Sequence, residues 1–173
     1  MEVSALRALI RDIPDFPQPG VVFKDITPVL AEPAALRAAV DGIAEPYLAA
    51  GVERVIGIEA RGFILAAPVA ERLGGGFVPV RKPGKLPWRT EQVTYELEYG
   101  TDALEVHLDA VLPGQKVLVV DDVLATGGTA AATVALLERL GAEIVGLSFL
   151  MELTFLPGRE RLAGLPVHAL LSY

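Results

Sequence analysis

The chain has 173 residues, a length that favours one domain with an ordinary hydrophobic core. It contains no cysteine, which excludes disulfides, thiolate zinc sites and cysteine nucleophiles and fits a cytoplasmic protein. The net charge is −7 and no apolar run has the length of a membrane span, so we expect neither a nucleic-acid partner nor a membrane.

The first third of the chain predicts short helices around a proline-rich segment. Ser4 can cap a first helix that runs to about Asp12, and this stretch lacks the basic-then-apolar order of a secretory signal. Pro14–Gly20 contains too much proline to be regular. The next predicted elements are an extended piece at Val21–Ile26, a helix start at Thr27-Pro28, and a helical region at Pro33–Ala50 with a kink or break at Pro46.

From residue 54 onward, apolar strands alternate with amphipathic helices. The predicted strands are Arg54–Ile58, Phe77–Val80, a hairpin of Val93–Tyr99 and Leu104–Leu108 that turns at Gly100–Asp102, Val117–Val120, Ile144–Leu150 and Val167–Leu171. The predicted helices are Phe63–Leu73, ended by Gly74, and Thr129–Leu140, ended by Gly141. This alternation predicts an α/β fold with a mainly parallel central sheet flanked by helices.

Charged residues follow three of the predicted strands. They are Glu59-Ala60-Arg61, Arg81-Lys82 and Asp121-Asp122. Because ligands of parallel sheets bind beyond the carboxyl ends of the strands, we expect these three segments to face one crevice.

The segment VLVVDDVLATGGT, Val117–Thr129, carries the most specific chemistry of the chain. A carboxylate pair such as Asp121 and Asp122 can hold vicinal hydroxyls. The small residues that follow can cradle a phosphate with backbone N–H groups at the start of a helix, with Thr129 as a possible N-cap. They are Ala125, Thr126, Gly127, Gly128 and Thr129. Together these features predict a site for a ribose 5-phosphate.

A second interpretation of Asp121-Asp122 is the magnesium site of a P-loop nucleoside triphosphatase. That class needs a G-x-x-x-x-G-K-[ST] loop earlier in the chain. Gly84-Lys85 is followed by Leu86, and no glycine stands five residues before Gly84. The sequence therefore argues against this class.

The basic residues are placed to meet a diphosphate. Arg61 can fork onto such a group, although a salt bridge with Glu59 or Glu71 is an alternative. Arg81, Lys82, Lys85 and Arg89 form a short basic loop with Pro83, Gly84 and Pro87, which predicts a mobile lid with stiff ends or, alternatively, a solvated loop. His107 and His168 have no partners at ligand spacing and are interpreted as structural or surface residues.

The segment Val117–Thr129 resembles the signature of the type I phosphoribosyltransferases. Further segments in the same order narrow the resemblance to the adenine phosphoribosyltransferase family: DIPDFPQPGVVFKDITPVL, IEARGF, VPVRKPGKLP, YELEYG and MELTFLPGRE. The resemblance implies the type I phosphoribosyltransferase fold in a single domain over residues 1–173. It adds a flexible loop hairpin, and a small hood to which about residues 1–32 contribute.

The resemblance also implies roles for individual residues. Glu98 matches the family's catalytic glutamate, with Arg61 and Lys82 beside the reacting groups. The strand pattern alone reads Glu98 as a solvated carboxylate, and it reads Phe23 and Leu153 as ordinary core. The residues matched to adenine are Val22, Phe23, Lys24 (where the family often has Arg) and Leu153, and those matched to the diphosphate and flexible loop are Arg61, Arg81, Lys82, Lys85 and Tyr99.

The implied reaction transfers 5-phosphoribosyl from 5-phosphoribosyl 1-pyrophosphate to adenine, giving AMP and pyrophosphate in purine salvage. Mg²⁺ is implied as cofactor, arriving mainly with the substrate, with Asp121 and Asp122 as candidate protein contacts. A homodimer is the implied assembly. The alternatives are a phosphoribosyltransferase for a 6-oxopurine and a non-catalytic purine or phosphoribosyl sensor, which would normally need an added DNA-binding module.

Overall fold

A computed structural model of the chain describes residues 1–96 and 100–173. The helices are α1 (Val3–Leu9), α2 (Thr27–Ala31), α3 (Pro33–Ala44), α4 (Arg61–Leu73) and α5 (Gly128–Arg139). The strands are β1 (Arg11–Pro14), β2 (Val22–Asp25), β3 (Arg54–Ile58), β4 (Gly76–Val80), β5 (Thr90–Glu96), β6 (Thr101–His107), β7 (Lys116–Leu124), β8 (Glu143–Glu152) and β9 (Val167–Ser172). No helix among the described residues is long and apolar enough to cross a membrane.

A parallel sheet of five strands forms the centre, in the order β4-β3-β7-β8-β9. Its strands are rich in Val, Ile and Leu because both faces are covered. Along β7, Leu118 and Val120 pack in the cluster that contains α3 and α4, whereas Val117 and Val119 pack in the cluster that contains α5. The α/β architecture predicted from the alternating pattern is confirmed.

Two antiparallel pairs lie outside the central sheet. β1 pairs with β2 near the start of the chain, in the region expected to form the hood. β5 pairs with β6, and side chains of this hairpin share a hydrophobic cluster with α5. The hairpin predicted after the basic loop is therefore confirmed.

Several predicted boundaries are wrong, and each has a tertiary cause. The first helix ends at Leu9 rather than near Asp12, because Arg11–Pro14 pair with β2 and Arg11 forms an ion pair of 2.7 Å with Asp25. The hairpin turn does not include Thr101 and Asp102, which are the first residues of β6. Pro46 ends the helical region as predicted: α3 stops at Ala44, and one 3₁₀ turn follows.

The predicted strand Val117–Val120 is longer than expected. β7 continues through both carboxylates to Leu124, because Asp121 and the residues beyond it pair with β8. The following helix begins at Gly128 with Gly127 as its N-cap, so Thr129 lies inside the helix and does not cap it.

Two tyrosines differ in how their buried hydroxyl groups are satisfied. Tyr47 Oη donates to the carbonyl of Leu147 at 3.1 Å. Tyr173 Oη is buried and has no hydrogen-bond partner within the described ranges. Burial raises the pKa of both phenols.

We expect Tyr47→Phe to lower the free energy of unfolding by about 1–2 kcal/mol, because a buried carbonyl loses its donor. Tyr173→Phe removes an unpaired polar atom and should leave stability unchanged or slightly higher. Denaturant unfolding of both variants checks this. An equal loss of stability in the two would contradict the assigned hydrogen bonding.

Candidate active site

A crevice of about 310 Å³ opens at the carboxyl ends of the central strands. Its walls are Glu59, Ala60 and Arg61 after β3, and residues 121–130 at the end of β7 and the start of α5. The parallel pairing of β3 with β7 brings these two segments to the same edge of the sheet. The structure thus confirms that the charged ends of β3 and β7 face one crevice.

The basic loop after β4 joins this crevice through Glu59. One carboxylate oxygen of Glu59 accepts from Arg81 Nε at 3.1 Å and from the backbone N–H of Lys82 at 2.9 Å. The third charged strand end, Arg81-Lys82, does not line the crevice as the sequence predicts, but Glu59 ties it to the crevice wall.

The glycine-rich turn, residues 125–129, leads into α5, which begins at Gly128. Gly127 has a φ of +78°, a left-handed conformation that suits glycine. The first backbone N–H groups of a helix lack intrahelical partners and carry the positive end of the helix dipole. Ala125, Thr126 and Gly128 line the same crevice, so the turn presents donors suited to an anion.

The two carboxylates that precede the turn have unequal surroundings. Asp122 is only 5% exposed and forms an ion pair with Arg61 Nε. Burial, and then the nearby charge of Asp122, raise the pKa of Asp121 well above its ordinary value. Burial and the neighbouring Asp122 thus favour the protonated, neutral form of Asp121.

Arg61 connects the carboxylates with the N-terminal region. Its partner is Asp122 rather than Glu59 or Glu71, the two carboxylates considered from the sequence. Its guanidinium carbon also lies 5.1 Å from the ring centre of Phe23. Gly62 beside it permits a close approach, because a Cβ there would lie 2.6 Å from Asp121 Oδ1.

Of the residues matched to adenine, Phe23 lies beside this arginine and Leu153 directly follows β8. Phe16 packs edge-on against Phe23, with 5.1 Å between ring centres, and Val22 is half exposed. The backbone N–H of Leu153 donates to the carbonyl of Leu124 at 2.9 Å, which fixes Leu153 beside the end of β7. A flat apolar face and the carboxylate pair therefore share one region.

Lys24 is tied to the other end of the chain. Its ammonium forms an ion pair of 2.6 Å with Asp12 and lies 4.2 Å from the ring centre of Tyr173. Arg7 approaches the same ring at 4.5 Å and donates to the carbonyl of Ser172 at 2.6 Å. Contacts to residues 172 and 173 thus support α1, through Arg7, and β2, through Lys24.

The basic loop is held by carboxylates of β6 that the sequence did not single out. Lys82 Nζ forms an ion pair with Asp102, which accepts at 3.3 Å from Tyr95 Oη. The same hydroxyl lies 3.3 Å from Thr129 Oγ1. A chain of polar contacts therefore runs from the basic loop to the glycine-rich turn.

Glu105 organises the rest of the loop. It is 4% exposed and accepts from the backbone N–H groups of Lys85 at 3.0 Å and Leu86 at 2.9 Å. Burial alone would raise the pKa of Glu105, but donors of the loop backbone outweigh it and hold this pKa below its ordinary value. The alternating pattern placed Glu105 on a polar face; only its position opposite the basic loop could have signalled this role.

The remaining predicted residues have simpler surroundings. His107 Nε2 accepts from the backbone N–H of Trp88 at 3.4 Å, and His168 contacts the carbonyl of Gly42 at 3.2 Å, in line with structural roles. Glu98 and Tyr99 lie outside the described residues.

The donor set of the crevice suits a magnesium ion only in part. Carboxylate oxygens are ligands that Mg²⁺ prefers, and Asp121 and Asp122 supply them. Within residues 1–96 and 100–173, no group of three or more His, Cys, Asp or Glu side chains could hold a metal ion. A cation here would take its remaining ligands from the substrate and from water.

The comparisons with known proteins agree with this geometry. The family model of the phosphoribosyl transferase domain matches residues 30–157. The chain therefore belongs to the phosphoribosyltransferase family.

The relatives narrow the assignment. An adenine phosphoribosyltransferase of Thermobifida fusca is 63% identical over 161 residues, which cover 93% of this chain and 92% of the relative. The crystal structure of an adenine phosphoribosyltransferase from Rhodothermus marinus shares 55% identity at a TM-score of 0.95, covering 99% of this chain and 98% of the other. Within the family, the chain belongs to the adenine phosphoribosyltransferases.

One further solved structure carries ligands. It is the adenine phosphoribosyltransferase of Saccharomyces cerevisiae, complexed with an imino-altritol bisphosphate and adenine. It is 38% identical to this chain with a TM-score of 0.92, and the match covers 97% of each chain.

We expect Asp121→Asn to stabilise the ligand-free protein at pH 7, because it removes a carboxylate whose charged form is disfavoured by burial and by the nearby charge of Asp122. The folded protein holds a proton on Asp121 more tightly than the unfolded chain does. The wild-type free energy of unfolding should therefore fall as pH rises from the ordinary value of 3.8 to the raised pKa.

The gain from Asp121→Asn should accordingly shrink as the pH approaches 3.8 from above. Denaturant unfolding between acidic and neutral pH measures it, with Asp109→Asn, at an exposed turn, as the matched control. A gain independent of pH would contradict the assignment.

Proposed function

We propose that this chain transfers the 5-phosphoribosyl group from 5-phosphoribosyl 1-pyrophosphate to adenine, giving AMP and pyrophosphate in purine salvage. The observation that carries the proposal is the single crevice that joins the carboxylate pair, the glycine-rich turn and Arg61. Residues 1–173 act as one domain, in which about residues 1–32 contribute a hood over the base. The chain is 57–63% identical to adenine phosphoribosyltransferases, which does not favour a phosphoribosyltransferase for a 6-oxopurine or a non-catalytic sensor.

The ribose 5-phosphate occupies the crevice. Asp121 and Asp122 hold the ribose hydroxyls, and the 5-phosphate is bound at the helix start. The residues assigned to the phosphate are Ala125, Thr126, Gly127, Gly128 and Thr129. This phosphate does not react, so its binding energy orients the reacting carbon.

Adenine lies between Phe23 and Leu153. The ring of Phe23 offers a stacking face beside Arg61. Val22 and Lys24 contribute backbone groups to the edge of the base. The replacement of the family's usual arginine by Lys24 therefore has little effect on recognition.

The diphosphate meets Arg61 and the basic loop with Arg81, Lys82 and Lys85. Lys82 must exchange its ion pair with Asp102 for the diphosphate oxygens. Asp121 and Asp122 are the residues that would hold Mg²⁺, which would supply neutralisation of the negative charge of the substrate.

In the reaction, the bond between C1 and the diphosphate oxygen breaks and a bond between C1 and a nitrogen of adenine forms. Negative charge grows on the leaving pyrophosphate, where Arg61 and Lys82 stabilise it. The proton lost by the attacking nitrogen passes to the leaving pyrophosphate or to solvent, and Glu98 acts as an acid toward a purine nitrogen or stabilises the cationic ribose. Closure of the Lys82–Glu91 region excludes water that would otherwise capture the ribosyl cation.

The resemblance to the adenine phosphoribosyltransferase family supports a homodimer and a cytoplasmic location. The absence of cysteine fits a reducing compartment.

An assay of nucleotide formation tests the function directly. The purified protein is mixed with Mg²⁺, 5-phosphoribosyl 1-pyrophosphate and one of four bases: adenine, hypoxanthine, guanine or xanthine. We expect AMP from adenine alone. Product from a 6-oxopurine would overturn the assignment of Val22, Phe23 and Leu153 to adenine. No product from any base would contradict the enzymatic function and favour the non-catalytic sensor.

Asp122→Asn should raise the KM for 5-phosphoribosyl 1-pyrophosphate about tenfold or more, with a smaller effect on the KM for adenine, because it removes a ribose contact and frees Arg61. Asp41→Asn, which loses a surface ion pair with Arg72, is the matched control. Equal weakening of both substrates would contradict the ribose role of Asp122.

A further inference from the structure

A second loop lies directly behind the glycine-rich turn. The carbonyl of Gly158 is only 2.6 Å from where a Cβ on Gly127 would be, and a Cβ on Gly158 would lie 2.3 Å from the carbonyl of Ala125. It would also lie 3.0 Å from the side chain of Leu124. The two loops therefore pack backbone against backbone, and a side chain at residue 158 would displace the turn.

Arg159 fixes this second loop. Its guanidinium makes a two-pronged ion pair with Glu152, at 2.9 Å from Nε and 2.5 Å from Nη2, and also donates to the carbonyl of Val167 at 2.9 Å. The carboxylate of Glu152 is largely buried at the end of β8, so a planar, forked partner is strongly favoured there. The position of Gly158 is thereby tied to the central sheet.

The same loop begins at the residue assigned to the base. Leu153 follows Glu152 and bonds to the carbonyl of Leu124, and Thr154 bonds to the carbonyl of Tyr173 through its N–H at 2.8 Å and its hydroxyl at 2.7 Å. One short loop, residues 153–159, therefore has its first residue at the candidate base site and its Gly158 against the candidate phosphate site.

We propose that Gly158 and Arg159 are positioning residues of the substrate site: Arg159 holds the loop against β8 so that Gly158 sets the position of the phosphate-binding turn. The proposal rests on the ribose 5-phosphate site proposed above. Neither residue lines the crevice. A displacement of about 1 Å in a positioning element is enough to cost large factors in binding or rate.

Two probes separate the turn from the rest of the site. Ribose 5-phosphate reports on the turn, and inorganic pyrophosphate with Mg²⁺ reports on Arg61 and the basic loop. Isothermal titration calorimetry measures both in the wild type, Gly158→Ala, Arg159→Lys and the control Arg72→Lys, which alters a surface ion pair outside the crevice. Thermal unfolding of each variant is recorded beside the titrations.

We expect Gly158→Ala to weaken ribose 5-phosphate about tenfold or more while pyrophosphate changes less than about threefold. Arg159→Lys keeps the positive charge but loses the two-pronged pairing with Glu152. It should therefore also weaken ribose 5-phosphate binding, to a smaller extent. Arg72→Lys should change neither. In the assay, the KM for 5-phosphoribosyl 1-pyrophosphate should rise more than kcat falls.

Folded variants that bind ribose 5-phosphate as tightly as the wild type would overturn the proposal. Equal loss of both probes would overturn it as well, because it would show general loosening rather than displacement of the turn. If Gly158→Ala does not fold, Arg159→Lys decides. A wild type that binds pyrophosphate but not ribose 5-phosphate would instead refute the phosphate site, and this proposal with it.

Discussion

The ion pair between Arg61 and Asp122 is the contact on which the rest of the site depends. The parallel register of β3 and β7 places two carboxylates of β7 beside the first residue of α4. One guanidinium then neutralises a buried carboxylate and also approaches Phe23 of the β1–β2 pair. The segments assigned to ribose, diphosphate and base therefore share a single side chain.

Close backbone approaches keep these segments in place. A Cβ on Gly62 would collide with Asp121, and a Cβ on Gly158 would collide with Ala125. In both cases a glycine lets a supporting segment pack directly against a binding segment, where any side chain would force them apart. The shape of the site therefore depends on these two glycines as well as on its charged residues.

Much of this arrangement could be predicted from the sequence because it depends on local patterns. The apolar runs of β3 and β7, the glycine-rich turn and the charged strand ends each have a period or composition that identifies them. Glycines at the ends of α4 and α5 marked where these helices stop.

The failures came where a distant segment decides the local structure. The sequence predicts Arg11 and Asp12 as the end of a helix, because their pairing with β2 is not visible in it. It likewise predicts that the strand ends at Val120, because the pairing of the following residues with β8 is not visible. The partner of Arg61 lies 61 residues away, so Glu59 and Glu71 were the natural candidates from spacing alone. The alternating pattern of β6 does not show that the basic loop folds over Glu105.

The contacts of Arg7 and Lys24 with residues 172 and 173 limit when the N-terminal region can fold during synthesis. Lys24 and Arg7 flank the ring of Tyr173, and Arg7 binds the carbonyl of Ser172. These contacts cannot exist until residues 172 and 173 have left the ribosome. The segment next to Phe23 is among the first to be synthesised, yet it gains this support only after residue 173 is translated.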